Sequence, residues 1–90
     1  MTPESYTAGM TDGETAALAF ADTRTRTLPA PAGSKPDYAS GWRVGFGNVR
    51  NLLACTERLA AGDRSYRDQA AYMRAFIAAR HPGADLPAVA

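Results

Sequence analysis

Apolar residues recur along three stretches of the chain at the spacing of a helix. In the first, Tyr6, Met10, Gly13, Ala17 and Phe20 follow one another at intervals of four, three, four and three. That is one face of an α-helix, and it predicts a helix over about residues 2–21. Thr2-Pro3-Glu4 is a suitable start, with a capping hydroxyl, proline in the first turn and an early carboxylate. The interior alternates threonine with Gly9 and Gly13, and each glycine costs about 1 kcal/mol relative to alanine. Packing must therefore hold this helix.

The second stretch, about residues 37–61, carries Tyr38, Trp42, Gly45, Val49, Leu52, Thr56 and Leu59 on one face, widened by Phe46, Leu53 and Ala60. Gly62 supplies a stop. The third, about residues 65–80, places Tyr66, Ala70, Met73, Phe76 and Ile77 on its apolar side. Ser65 with Asp68 three residues on resembles a capping box, and His81-Pro82-Gly83 ends the helix. The short turn at Gly62-Asp63-Arg64 makes the second and third helices antiparallel neighbours. Between the first two, residues 22–36 hold three prolines and a glycine, which deny helix and make a basic connector anchored by Leu28. The reading is an all-α, three-helix small bundle. Residues 1–81 form one helical domain, and residues 82–90 form a flexible, frayed tail. The expected core is Tyr6, Met10, Phe20, Tyr38, Trp42, Val49, Leu52, Leu59, Met73 and Phe76.

An internal repeat carries more information than any single residue. At an offset of 32, Tyr6-Thr7-Ala8-Gly9-Met10-Thr11-Asp12-Gly13 aligns with Tyr38-Ala39-Ser40-Gly41-Trp42-Arg43-Val44-Gly45. The shared pattern is Tyr-x-x-Gly-large-x-x-Gly. Glycines four apart lie on one helix face, so each helix has a ridge on which a neighbour can approach closely. The expectation is that the first two helices cross through Gly9, Gly13, Gly41 and Gly45, related by an approximate two-fold, with Tyr6, Tyr38 and Trp42 closing the contact. A second packing satisfies the same pattern, in which each glycine makes room for a neighbouring aromatic ring.

Residues 4–50, through Tyr6, Gly9, Gly13, Tyr38, Gly41, Trp42 and Arg43, resemble the ribosome modulation factor family. The resemblance implies two helices joined by an irregular connector. It also implies a factor that binds the ribosome at ribosomal RNA near the message exit and inactivates it. That family is strongly basic, whereas this chain carries a net charge of +1.

Charge is unevenly distributed. The first 22 residues hold Glu4, Asp12, Glu14 and Asp22 and no lysine or arginine, while all ten basic residues, nine of them arginine, fall within residues 23–80. The halves can attract each other or another copy. Arg43, Arg50 and Arg58 nearly align on the second helix, and Arg67 and Arg74 repeat the seven-residue spacing on the third. With Arg24 and Arg26 of the connector they form the candidate macromolecule-binding set, able to meet phosphates or an acidic protein surface. The alternative is the ordinary polar side of two amphipathic helices.

Catalytic patterns are scarce. Cys55 and His81 are single, so neither a disulfide nor a zinc site can be completed, and no metal or cofactor is expected. Cys55 falls on the apolar face as a core thiol, and His81 sits where an imidazolium suits a helix C-terminus. Gly45-Phe46-Gly47 lacks the Lys-Ser/Thr of a phosphate loop. No stretch reads as a secretion signal or a membrane span, which predicts a cytoplasmic protein. The expected function is a small, non-catalytic regulatory factor that occupies a surface of a large host complex, with the ribosome and its RNA as the named target. The alternative is a helical inhibitor or accessory protein of phage or mobile-element type acting on a host protein. The thin core predicts a homo-oligomer, with the acidic first helix of one copy near basic faces of another.

Overall fold

The computed structural model describes residues 3–89. It is an all-α, three-helix bundle, and no strand occurs among the described residues. Helix α1 spans Pro3–Ala19, α2 Pro36–Ala60 and α3 Arg67–Ala78, with a 3₁₀ turn at Arg64–Tyr66 leading into α3. The expected cap at Thr2 lies outside the described residues.

The α1–α2 contact is made by backbone. A Cβ built on Gly9 or Gly13 would fall inside the carbonyl oxygen of Tyr38 or Trp42, and one on Gly41 or Gly45 inside that of Tyr6 or Met10. The next atoms such a Cβ would meet are also main chain: the Tyr38 carbonyl carbon at 2.9 Å for Gly9 and the Met10 nitrogen at 2.9 Å for Gly41. Adding 32 to each partner exchanges the two sets, so the crossing has an internal two-fold. Each glycine Cα lies at most about 3.7 Å from the opposing oxygen, near the range of Cα–H···O contacts worth about 0.5–1 kcal/mol each.

The pairing also sets direction. Gly9 meets Tyr38 and Trp42, Gly13 meets Trp42, and Gly45 meets Met10 and Glu14, so both chains advance together and α1 and α2 are parallel. Parallel helices cannot be joined by a tight turn. The connector, residues 20–35, returns along α2 instead, held where Trp42 Nε1 donates to the Leu28 carbonyl (2.9 Å) and Arg50 Nε to that of Thr23 (2.9 Å).

With the N-terminal halves in backbone contact, the core lies beside their C-terminal halves. It consists of Ala17, Phe46, Val49, Leu52, Met73, Ile77 and Leu86, with Leu18, Phe20, Leu28 and Leu53 packed at its edge. Of the residues expected there, Trp42, Val49, Leu52 and Met73 are buried, whereas Tyr6, Met10, Phe20, Tyr38, Leu59 and Phe76 are half-buried. The tyrosines flank the crossing, where no room exists for a ring.

Two local expectations are corrected. Asp63 caps the 3₁₀ turn that leads into α3, accepting from Ser65 N (3.1 Å) and Ser65 Oγ, so Ser65 is a donor rather than the cap, and α3 starts two residues later than expected, after Tyr66 and without a side-chain cap. Residues 82–89 are non-helical, but they do not fray from the surface. Gly83 adopts φ +81°, the chain folds back, Leu86 enters the core at 7% exposure, and Arg74 Nε donates to the Pro87 carbonyl (2.8 Å).

The glycine ridge yields a matched pair of variants. Gly45→Ala drives a methyl group into the Met10 carbonyl and should cost about 2 kcal/mol or more. Gly47, with open space around its Cβ direction, should gain about 0.5–1 kcal/mol on substitution by alanine. Urea denaturation of both variants measures the opposite signs.

Candidate macromolecule-binding surface

The predicted basic residues divide into those that face solvent and those that hold the fold. Arg43, Arg50 and Arg58, seven and eight residues apart, share the outer side of α2. The connector runs across that side and brings Arg24 onto Glu57 of α2 as an exposed ion pair. Arg26 lies over the Phe20 ring at 5.1 Å. Arg43 is exposed and reaches Ser40 Oγ (3.3 Å). Arg58 is exposed and lies 5.8 Å from the Tyr66 ring centroid. Arg24, Arg26, Arg43 and Arg58 are therefore all exposed on α2 and the connector, with Glu57 as the counter-charge of Arg24.

Arg50 and Arg74 are taken out of the expected ridge. Both spend Nε on a carbonyl of an irregular segment, and Arg50 Nη2 is buried with no partner among the described residues. The seven-residue spacing identified a helix side correctly but could not show that connector and tail lie across it. Arg67 is exposed on α3 beside Asp68 (3.9 Å).

The sequence reading missed the most highly connected charged group. Glu14 is fully buried. Its carboxylate accepts from Arg80 Nε (2.8 Å) and Nη2, from Asn48 Nδ2 (3.1 Å), and from His81 Nε2 at 3.0 Å. Helices α1, α2 and the end of α3 thus meet on one carboxylate. His81 faces this acid rather than serving as a free cap for the helix dipole. A signal was available, because Glu14 follows Met10 by four and precedes Ala17 by three, which puts it in the buried stripe. Arg80 also lies flat over Phe76, 4.0 Å from its centroid, and Phe76 stacks with the exposed Tyr72 (6.0 Å).

Tyr38 and Cys55 have raised pKa values, and Asp63, which accepts hydrogen bonds from Ser65, has a lowered one. Tyr38 donates its hydroxyl to Asp12, and losing that proton would break the bond and set a phenolate beside a carboxylate, so its pKa is raised. Burial pushes the Cys55 thiol up, which leaves it a protonated core side chain near Asn51 Oδ1 (3.4 Å). No group of three or more His, Cys, Asp or Glu side chains converges as a metal site among the described residues. Among the described residues, no helix is long and apolar enough to cross a membrane.

Removing Glu14 strands a largely buried guanidinium, so Glu14→Ala should lose about 3 kcal/mol in urea denaturation, while Arg43→Ala should stay within about 0.5 kcal/mol. Raised pKa values on Tyr38 and Cys55 mean that the unfolded chain ionises first. Stability should therefore be constant at neutral pH and fall as pH rises above about 9. Asp12→Asn should reduce the Tyr38 share of that fall, leaving the part due to burial, read as the thermal midpoint against pH.

No family model matches this chain, and no curated protein or solved structure does so either.

Proposed function

We propose that this chain is a small, non-catalytic factor that acts by occupying a surface of a large macromolecular complex, with the ribosome as its target. The observation that carries the reading is that Arg24 and Arg26 of the connector and Arg43 and Arg58 of α2 are all exposed. Guanidinium groups spread along a rigid helix suit repeated phosphates. The likeness of the Tyr-x-x-Gly-large-x-x-Gly pair to the ribosome modulation factor family names the complex.

A second reading, a helical inhibitor acting on a host protein, is favoured by the outer side of α3. Ala71, Tyr72, Ala75 and Ala79 are exposed there, Tyr72 at 67%, with Phe76 beside them. A preformed aromatic on a neutral helix face is a common anchor in protein interfaces.

Sedimentation with purified ribosomes separates the two. For about four neutralised phosphates, raising salt from about 50 to about 200 mM should weaken ribosome binding on the order of 10- to 100-fold. Arg43→Ala combined with Arg58→Ala should weaken it at fixed salt, and Tyr72→Ala should have little effect. Ribosome retention indifferent to salt and to both arginines would sink the RNA version. Loss of a salt-tolerant complex through Tyr72→Ala would favour a protein target.

A further inference from the structure

The two helices of the glycine crossing have outer faces at equivalent positions but of opposite charge. On α1, Glu4, Thr7, Ala8, Thr11 and Asp12 line an open hollow of about 550 Å³. Thr11 is two residues from both Gly9 and Gly13, which puts it on the side of α1 away from α2. The 32-residue offset takes these five positions to Pro36, Ala39, Ser40, Arg43 and Val44. Arg43 is likewise two residues from both Gly41 and Gly45, so this second set faces away from α1. Both faces are low in relief, with threonine and alanine on α1 and alanine and serine on α2, and Val44 stands out from the second at 42% exposure. The charges on them are unmatched. Glu4 and Asp12 are exposed and pair with no cation among the described residues, and α1 carries no lysine or arginine. Arg43 is exposed and, among the same residues, pairs with no carboxylate.

We propose that these faces are the two halves of one self-association interface, in which Val44 of one copy seats in the Thr7–Ala8–Thr11 hollow of the next and Arg43 meets Glu4 and Asp12. Small side chains on both faces let the two helices approach closely. The unmatched charges select the pairing, because two acidic faces repel each other, as do two basic ones. Helices α1 and α2 are parallel and related by a two-fold, so the two faces point in opposite directions. Each copy therefore joins one neighbour through α1 and another through α2, and the product is an open head-to-tail string rather than a closed dimer. Each face spans only about two to three helical turns. That is at the small end of specific interfaces, so the string forms with concentration. Self-association of this kind needs no ribosome. It covers Arg43, so RNA phosphates and a second copy compete for that side chain.

Sedimentation velocity on the full-length chain, with no ribosome present, tests this. Between about 10 μM and about 1 mM the wild-type mass should rise past that of a dimer without a plateau. Raising salt from about 50 to about 500 mM should weaken the association several-fold. Ala8→Arg fills the hollow with a cation, and Val44→Arg replaces the side chain that seats in it. Each variant alone should stay monomeric at the highest concentration. Mixed in equal amounts they should form a 1:1 dimer and nothing larger, because one brings an intact α2 face and the other an intact α1 face. Both positions are exposed, and helical circular dichroism checks that the variants fold. Thr7→Arg and Val44→Lys form a second pair with the same expected pattern. A wild-type chain that stays monomeric throughout overturns the proposal. So does a mass that stops at the dimer, which would show like faces meeting. Association indifferent to salt removes the charge matching that selects a second copy. Folded single variants that assemble as the wild type does, or a mixture that fails to dimerise, remove the two faces named.

Discussion

The contact of one helix backbone with another sets the terms for the rest of this structure. Where Gly9 and Gly13 meet Gly41 and Gly45, no layer of side chains separates α1 from α2. Two consequences follow. A side-chain core cannot lie between the N-terminal halves, so it forms beside the C-terminal halves, where Ala17, Phe46, Val49 and Leu52 take in Met73 and Ile77 from α3. The parallel sense of the pair also obliges the chain to return about the length of α1 before α2 can begin. The connector is therefore long for a geometric reason, and its prolines suit a segment that must stay extended.

The internal two-fold ends at one residue pair. Glu14 and Phe46 are equivalent under the 32-residue offset, and both are completely buried, one as a carboxylate and the other as a ring. Helix α3 docks against only one of the two related surfaces. Phe46 lies in the apolar cluster it completes, and Glu14 receives Arg80 and His81 from its C-terminal end. A buried ion pair of this kind adds little net stability over an apolar equivalent, but a misregistered one leaves an unpaired charge in the interior. The Glu14 cluster thus penalises any seating of α3 other than the observed one. It joins the acidic first segment to the basic remainder within a single chain.

Much of the architecture was legible from spacing alone. Helical stripes marked all three helices, because each buries one face against the others, and the glycine repeat marked where α1 and α2 touch. What spacing does not encode is what lies across a helix side. Arg50 and Arg74 sit at the same register as exposed arginines, and only the paths of the connector and the tail make them clasps. Leu86 was read as a frayed end because its neighbours are small and aperiodic, yet one leucine close to a groove needs no period to be buried. Asp63 displaced Ser65 as the cap because a carboxylate two residues back can accept both the backbone N–H and the hydroxyl of Ser65. Glu14 was visible as an acid in an apolar stripe, but its partners lie 66 and 67 residues away, beyond any local pattern.

The arginine-rich composition has a structural cause that precedes any binding role. Both irregular segments are fastened by one device, a guanidinium Nε from a helix donating to a carbonyl of the passing chain, Arg50 to Thr23 and Arg74 to Pro87. A third arginine, Arg80, clamps Glu14 through two nitrogens, a geometry that lysine cannot reproduce. The connector is tied covalently to a helix at each end and is clasped again by Trp42, so losing one hydrogen bond frees little chain entropy. Residues 84–89 have the Arg74 clasp and, beside it, the Leu86 side chain in the core. The same donor chemistry thus fastens both irregular segments to the bundle.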